Sequence, residues 1–193
     1  MDTESDKLVI AVLAGTSRAK RVSIHAARYV AEFGRGIDGV EIIFVDPADF
    51  EFPRDGDDPE GKDPHYTNIT QRADAFFIVT PEYNHSFPST IKRMLDSEYK
   101  NYFHKPVALA GASDGPWGGV RAIEALVHPL RTMSMIVLST DVHFPYVPTM
   151  FDEHGALLPE CIERTNRNLQ SAYDELIWMA RVMKQASKAP VRE

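Results

Sequence analysis

The sequence has a single cysteine, Cys161, so no disulfide can form within the chain and a reducing compartment is permitted. Cys161 itself reads as a small apolar residue near a helix start. No apolar run approaches the ~18 residues of a membrane span. Positive charge is in deficit: 21 Lys and Arg against 28 Asp and Glu leave a formal charge of −7. That balance argues against a nucleic-acid or anionic-membrane surface. The first six residues are polar and acidic, unlike the basic start of a secretory signal. There is no internal repeat and no low-complexity block. The histidines show no H-E-x-x-H spacing and a lone cysteine cannot form C-x-x-C, so no metal site is expected. Neither a Walker A loop nor a GxGxxG fingerprint is present. What remains is a soluble, cytoplasmic protein with one domain over residues 1–193, long enough to bury a core.

What the chain does have is short apolar runs that stop abruptly. Residues 8–14, Leu-Val-Ile-Ala-Val-Leu-Ala, are apolar on both faces and close at Gly15, as a buried parallel strand requires. Similar runs occupy 75–79, 107–110 and 135–138, while 40–45 is interrupted by Glu41 and suits a sheet edge. Between them the period becomes helical. Val22, Ala26, Val30 and Phe33 share one face before Gly34 and Gly36 offer a stop. Pro88 opens a segment with Ile91, Met94 and Leu95 on one side. Val120, Ile123, Val127 and Leu130 mark another helix, in which Pro129 is expected to kink the last turn. Pro159 starts a final helix carrying Leu169, Tyr173, Leu176 and Ala180. The second crossover helix is the least distinct, around His65–Arg72. Strands alternating with helices predict an α/β three-layer sandwich with a five-stranded parallel sheet in the order 2-1-3-4-5. A ligand crevice then lies beyond strands 1, 3 and 4.

Three loops leave those strands. The first, Gly15-Thr16-Ser17-Arg18-Ala19-Lys20-Arg21-Val22-Ser23, gathers hydroxyls and cations at a helix start. This is either a phosphate site made from backbone N–H groups and Arg18, or a solvated basic helix start. Lys20 and Arg21 read either as partners for a nicotinamide 2′-phosphate or as solvated residues. The second loop, Thr80-Pro81-Glu82-Tyr83-Asn84-His85-Ser86-Phe87-Pro88, is stiffened by proline and offers a ring and an amide to a planar heterocycle. His85 reads either as an acid or ligand or as an exposed, idle loop histidine. The third, Gly111-Ala112-Ser113-Asp114-Gly115-Pro116-Trp117-Gly118-Gly119, lets backbone N–H groups approach a flat ligand. It also formally satisfies G-x-S-x-G. Asp141 and His143 follow in triad order, but only two residues apart, an awkward geometry for a hydrolase.

Taken together, these loops resemble the NADPH-dependent FMN reductase family, a flavodoxin-like group that includes quinone, azo-dye and chromate reductases. Gly15-Thr16-Ser17-Arg18 matches its Gly-Ser-x-Arg phosphate loop with threonine in the serine place. Pro81, Glu82, Tyr83 and Asn84 match its Pro-Glu-Tyr-Asn loop outright. Ser113-Asp114-Gly115 with Gly118-Gly119 resembles its glycine-rich loop, and 151–155 a turn before the last helix. The resemblance spans roughly residues 7–183. It implies that Ser17, Arg18 and Ser23 hold the FMN phosphate. Residues 81–84 and 113–119 would hold the isoalloxazine. NADPH or NADH would deliver hydride, and a quinone, azo compound, metal oxyanion or free flavin would accept it. No catalytic acid or base is implied, because the cofactor carries the chemistry. Members are commonly dimers or tetramers, and Tyr99–Phe103 and His143–Phe151 read as an interface surface or as caps on the core. An FMN-bound electron carrier or redox sensor is the alternative, although small flavodoxins lack this arginine in their phosphate loop.

Overall fold

The computed structural model describes residues 7–53 and 61–187; the acidic start and the outer ends of the expected domain lie outside the described residues. The chain alternates strands and helices as predicted. Leu8–Ala14 (β1), Ser23–Arg35 (α1), Val40–Val45 (β2), Pro64–Arg72 (α2) and Ala75–Pro81 (β3) come first. Ser89–Ser97 (α3), Pro106–Ala112 (β4), Val120–Thr132 (α4), Ile136–Val137 (β5), Val142–Phe144 (β6) and Pro159–Ala186 (α5) complete it. All pairings between these strands are parallel, in the order β2-β1-β3-β4-β5, with β6 also on β4.

The fifth position of the sheet is split, which the apolar run at 135–138 did not reveal. β5 pairs Ile136 and Val137 with Pro106 and Val107, and β6 pairs Val142 and Phe144 with Ala110 and Ala112. The polar stretch Ser139-Thr140-Asp141 interrupts the ladder between them. β6 is only three residues long, with His143 half-buried between two buried apolar neighbours. So short an alternation, in an edge position, gives no strand signal.

Strict alternation assigns the residues of the central strands to two cores. Ile10, Val12, Phe77, Val79, Ala108 and Ala110 face α1 and α5, where Val30, Leu169, Leu176 and Ala180 meet them. Ala11, Leu13, Phe76, Ile78, Val107 and Leu109 face the other way, against Tyr66, Ile91, Leu95 and Leu126 of α2, α3 and α4. With helices on both sides, each central strand is apolar throughout because neither face meets water. The aromatic stretches cap these cores: Tyr102, Phe144 and Phe151 are buried, and Tyr99 and Tyr146 are the exposed exceptions.

α4 runs from Val120 to Thr132 with Pro129 in its last turn, the position expected for it. One helix detail differs from the sequence reading. Gly34 does not end α1: the helix reaches Arg35 and Gly36 caps it. Gly34 is instead a contact point. A Cβ there would lie 2.5 Å from the Tyr173 hydroxyl and 2.8 Å from Ile42 Cδ1. Tyr173 cannot retreat, being fully buried with its hydroxyl donating to the Val30 carbonyl at 2.8 Å. Gly34→Ala should therefore destabilise the fold by about 1–3 kcal/mol. The check is the midpoint of urea unfolding; an unchanged midpoint would mean that α1 has room to move away from Tyr173.

Candidate functional site

The strands bring the three loops together by ending at one level. Ala14 of β1 pairs with Val79 of β3, and Val79 with Ala110 of β4. β3 runs on to Pro81 and β4 to Ala112, so the first two residues assigned to the third loop belong to its strand. Beyond this edge lies a cleft of about 530 Å³, within the usual size of a small-molecule site. Arg18, Ser23, Pro81, Glu82, Tyr83, Asn84, Ser113, Asp114 and Gly115 all line it.

The remaining predicted residues, Gly15, Thr16, Ser17, Gly118 and Gly119, are not among those lining the cleft. Gly15 donates its N–H to the Val79 carbonyl at 2.8 Å, binding the first loop to β3. Thr16 is buried, and its hydroxyl accepts from the Arg18 N–H at 3.2 Å. Ser17 is exposed beside it. Gly118 and Gly119 both have positive φ, and a Cβ on Gly119 would lie 2.6 Å from the Ala112 nitrogen. The glycines of the third loop thus let its backbone fold back on the end of β4.

The first loop delivers the chain into α1 with no side chain capping the helix. Such a start leaves N–H groups for an anion. Arg18 lies over the Tyr83 ring, its guanidinium carbon 5.5 Å from the centroid, so a cation and an aromatic ring tie loops one and two. Arg21 answers the 2′-phosphate question differently from either alternative. It is neither solvated nor free, because its guanidinium pairs with Asp46 at the end of β2, the two side chains only 14% and 10% exposed. That pair links residues 25 apart in sequence, so no local pattern announces it.

The second loop closes on itself. Tyr83 and Ser86 exchange backbone hydrogen bonds of 2.8 and 3.0 Å across Asn84 and His85, both of positive φ. His85 consequently projects at the exposed cleft rim. Glu82 sits deeper, its side chain 10% exposed and 3.5 Å from Arg121 of α4. Arg121 was missed by sequence reasoning, yet it carried a signal: a cation in the first turn of a helix opposes the helix dipole.

Two residues of this cleft hold a buried atom without a partner. Among the described residues, three buried side-chain nitrogen or oxygen atoms have none: Arg21 Nε, Glu82 Oε2 and Arg93 Nε. Two of them belong to residues lining the cleft. One is a donor in the first loop and the other an acceptor in the second. An unsatisfied buried polar atom is costly, and these two put an unpaired donor and an unpaired acceptor on residues of the first and second loops.

The hydrolase alternative has no triad geometry. Ser113 Oγ donates to the Gly115 carbonyl at 3.1 Å, while His143 Nδ1 lies 3.4 Å from the Gly118 carbonyl. Asp141 sits in the break between β5 and β6. Burial lifts its carboxyl from 3.8 to about 6, His143 opposing the rise and Glu124 adding to it. The folded chain therefore holds this proton more tightly than the unfolded chain, and stability falls as pH rises through that interval. Asp141→Asn should raise the melting temperature at pH values above about 6 and leave it unchanged near pH 4. Calorimetry across that range decides it, and a pH-independent difference would contradict the assignment.

Comparison with known proteins points the same way. The profile of the family described as NADPH-dependent FMN reductase matches residues 8–149. A quinone reductase of Pseudomonas putida is 25% identical over 159 residues, 77% of this chain and 83% of that protein. An NAD(P)H-dependent FMN reductase of Schizosaccharomyces pombe is 30% identical over 142 residues, 68% of this chain and 70% of that one. Among solved structures, a flavoenzyme NAD(P)H:(acceptor) oxidoreductase of Paracoccus denitrificans superposes with a TM-score of 0.69 at 21% identity, covering 92% of this chain and 98% of that one. A flavodoxin from the domain Archaea superposes at 0.57 with 15% identity, covering 92% and 99%. These last two share the fold.

Proposed function

The chain belongs to the NADPH-dependent FMN reductase family, and from that premise we propose that its cleft seats FMN and that it passes hydride from NAD(P)H to a small acceptor. The observation that carries the reading is the convergence of all three loops on one cleft, lined by Arg18 and Ser23, by residues 81–84 and by residues 113–115. FMN has the complementary groups: a phosphate at one end, and ribityl hydroxyls and a ring N–H toward the other. When bound, FMN supplies a ring atom that takes a hydride from a nicotinamide and gives it up to an acceptor.

The chain's own residues bind and orient. Arg18 and Ser23, which line the cleft, hold the phosphate with the uncapped start of α1, Ser17 adds an exposed hydroxyl beside Arg18, and Thr16 sets the turn by accepting from Arg18. Glu82, Tyr83 and Asn84, braced by Pro81, hold one side of the ring; Ser113, Asp114 and Gly115 hold the other. Gly118 and Gly119 keep the backbone of that loop low enough to leave the ring exposed. No side chain is assigned a proton, since hydride transfer on and off the cofactor needs no protein acid or base. The same reading takes the chain as one FMN-binding domain with a core over about residues 7–183. It also takes the protein as a cytoplasmic homodimer or homotetramer, which family membership supports. Among the described residues no helix is long and apolar enough to cross a membrane.

Arg18→Ala should weaken FMN binding by roughly 10- to 100-fold, the range expected for lost charge-assisted hydrogen bonds. Titration of the variant with FMN, followed by flavin fluorescence, reads this directly, and full affinity would remove Arg18 from the phosphate site. Steady-state turnover should give parallel double-reciprocal lines for NADPH and acceptor, because donor and acceptor use the same ring face in turn. A flavin that NADPH bleaches but that passes nothing to any acceptor would mark a redox sensor or carrier instead.

A further inference from the structure

Trp117 is 65% exposed, and it stands on the wall of the cleft. An indole left in water forgoes a large burial gain, so its surroundings need an account. The other large ring of the cleft, Tyr83, is covered by Arg18. No ring or cation among the described residues covers Trp117. Its exposure is not that of a loose loop. The Ser113 N–H donates to the Phe144 carbonyl at 3.2 Å, and the Val147 and Tyr146 N–H groups donate back to Ser113 and Gly115 at 3.0 Å. On its C-terminal side, Gly118 and Gly119 are packed too closely against 111–112 and 143–145 to accept a Cβ. The loop is therefore fastened at both ends, and the indole is held out over the cleft. The same bonds display Tyr146, 51% exposed at a φ of +49° that a bulky residue rarely adopts.

We propose that Trp117 determines acceptor choice by stacking flat aromatic acceptors of the quinone class at the open face of the cleft. This rests on the reading that the cleft seats FMN. The overall exchange balances without any further reactant: NAD(P)H gives up two electrons and a proton as hydride, and the quinone takes these with one solvent proton to become the hydroquinone. A flat ring gains an aromatic contact from Trp117. A compact, non-planar acceptor such as ferricyanide has no face to offer it. Tyr83 does not compete for this role, because Arg18 lies over one face of its ring and the flavin seat takes the loop that carries it.

The test compares acceptors on the FMN-loaded protein. In Trp117→Ala, the kcat/KM ratio for a naphthoquinone over ferricyanide should fall roughly 3- to 10-fold, chiefly through the naphthoquinone KM. Trp117→Phe should restore most of it. A second readout needs no turnover. The chain has two tryptophans, so in a Trp178→Phe background the remaining emission comes from Trp117, and naphthoquinone added to the oxidised protein should quench it saturably. An unchanged acceptor ratio, or emission that naphthoquinone leaves untouched, overturns the proposal. FMN loss from Trp117→Ala would place the indole in the flavin seat and overturn it too. A wild-type chain that holds no FMN would instead bring down the reading beneath it.

Discussion

β1, β3 and β4 lie side by side in parallel register, with Ala14, Val79 and Ala110 at one level. Because all three strands run the same way, their following loops leave the same edge and face a common space. Close backbone approach keeps that space open. A Cβ on Gly111 would lie 2.5 Å from the Gly118 carbonyl oxygen, so the third loop can lie against the end of β4 only where side chains are missing. The edge of the sheet thus becomes a cleft rather than a filled surface, and the aromatic and charged side chains stand around it.

Charge is distributed against the overall balance of the molecule. The chain is acidic, at −7, yet Arg18, Lys20, Arg21 and Arg121 all line this cleft. Exposed ion pairs elsewhere, such as Arg72 with Glu41 and Lys92 with Asp96, add little to stability. Arg21 and Asp46 are a different case, being mostly withdrawn from water. Desolvating such a pair offsets much of its attraction, so its main effect is positional: it fixes the first loop to the end of β2. Arg21 Nε, buried behind that pair, is left without a partner.

The parts of this arrangement legible in the sequence are those with local causes. β1, β3 and β4 are apolar on consecutive positions because helices cover both faces, and the helices between them bury a single stripe. The three loops carry their chemistry in contiguous residues, so nine of the predicted site residues line the cleft. What stayed hidden depends on partners distant in sequence. Gly34 looked like a helix stop because its partner, Tyr173, comes from the last helix. Arg21 read only as a 2′-phosphate partner or a solvated residue because its partner, Asp46, lies beyond an intervening helix and strand. β6 was invisible because three residues on a sheet edge cannot establish a period. Trp117 was inside a quoted loop, but only the tethers to 144, 146 and 147 reveal that it is held out over the cleft.

The central claim is that the three loops form a seat for FMN on an NADPH-reducible protein. The most direct measurement is the visible spectrum of the purified chain after loading with FMN and removal of the excess, followed by NADPH in the absence of oxygen. The account predicts a retained band near ~450 nm, about one flavin per chain, that bleaches on addition of NADPH, as a protein-bound redox cofactor must. A colourless protein that cannot hold FMN would contradict the reading of all three loops.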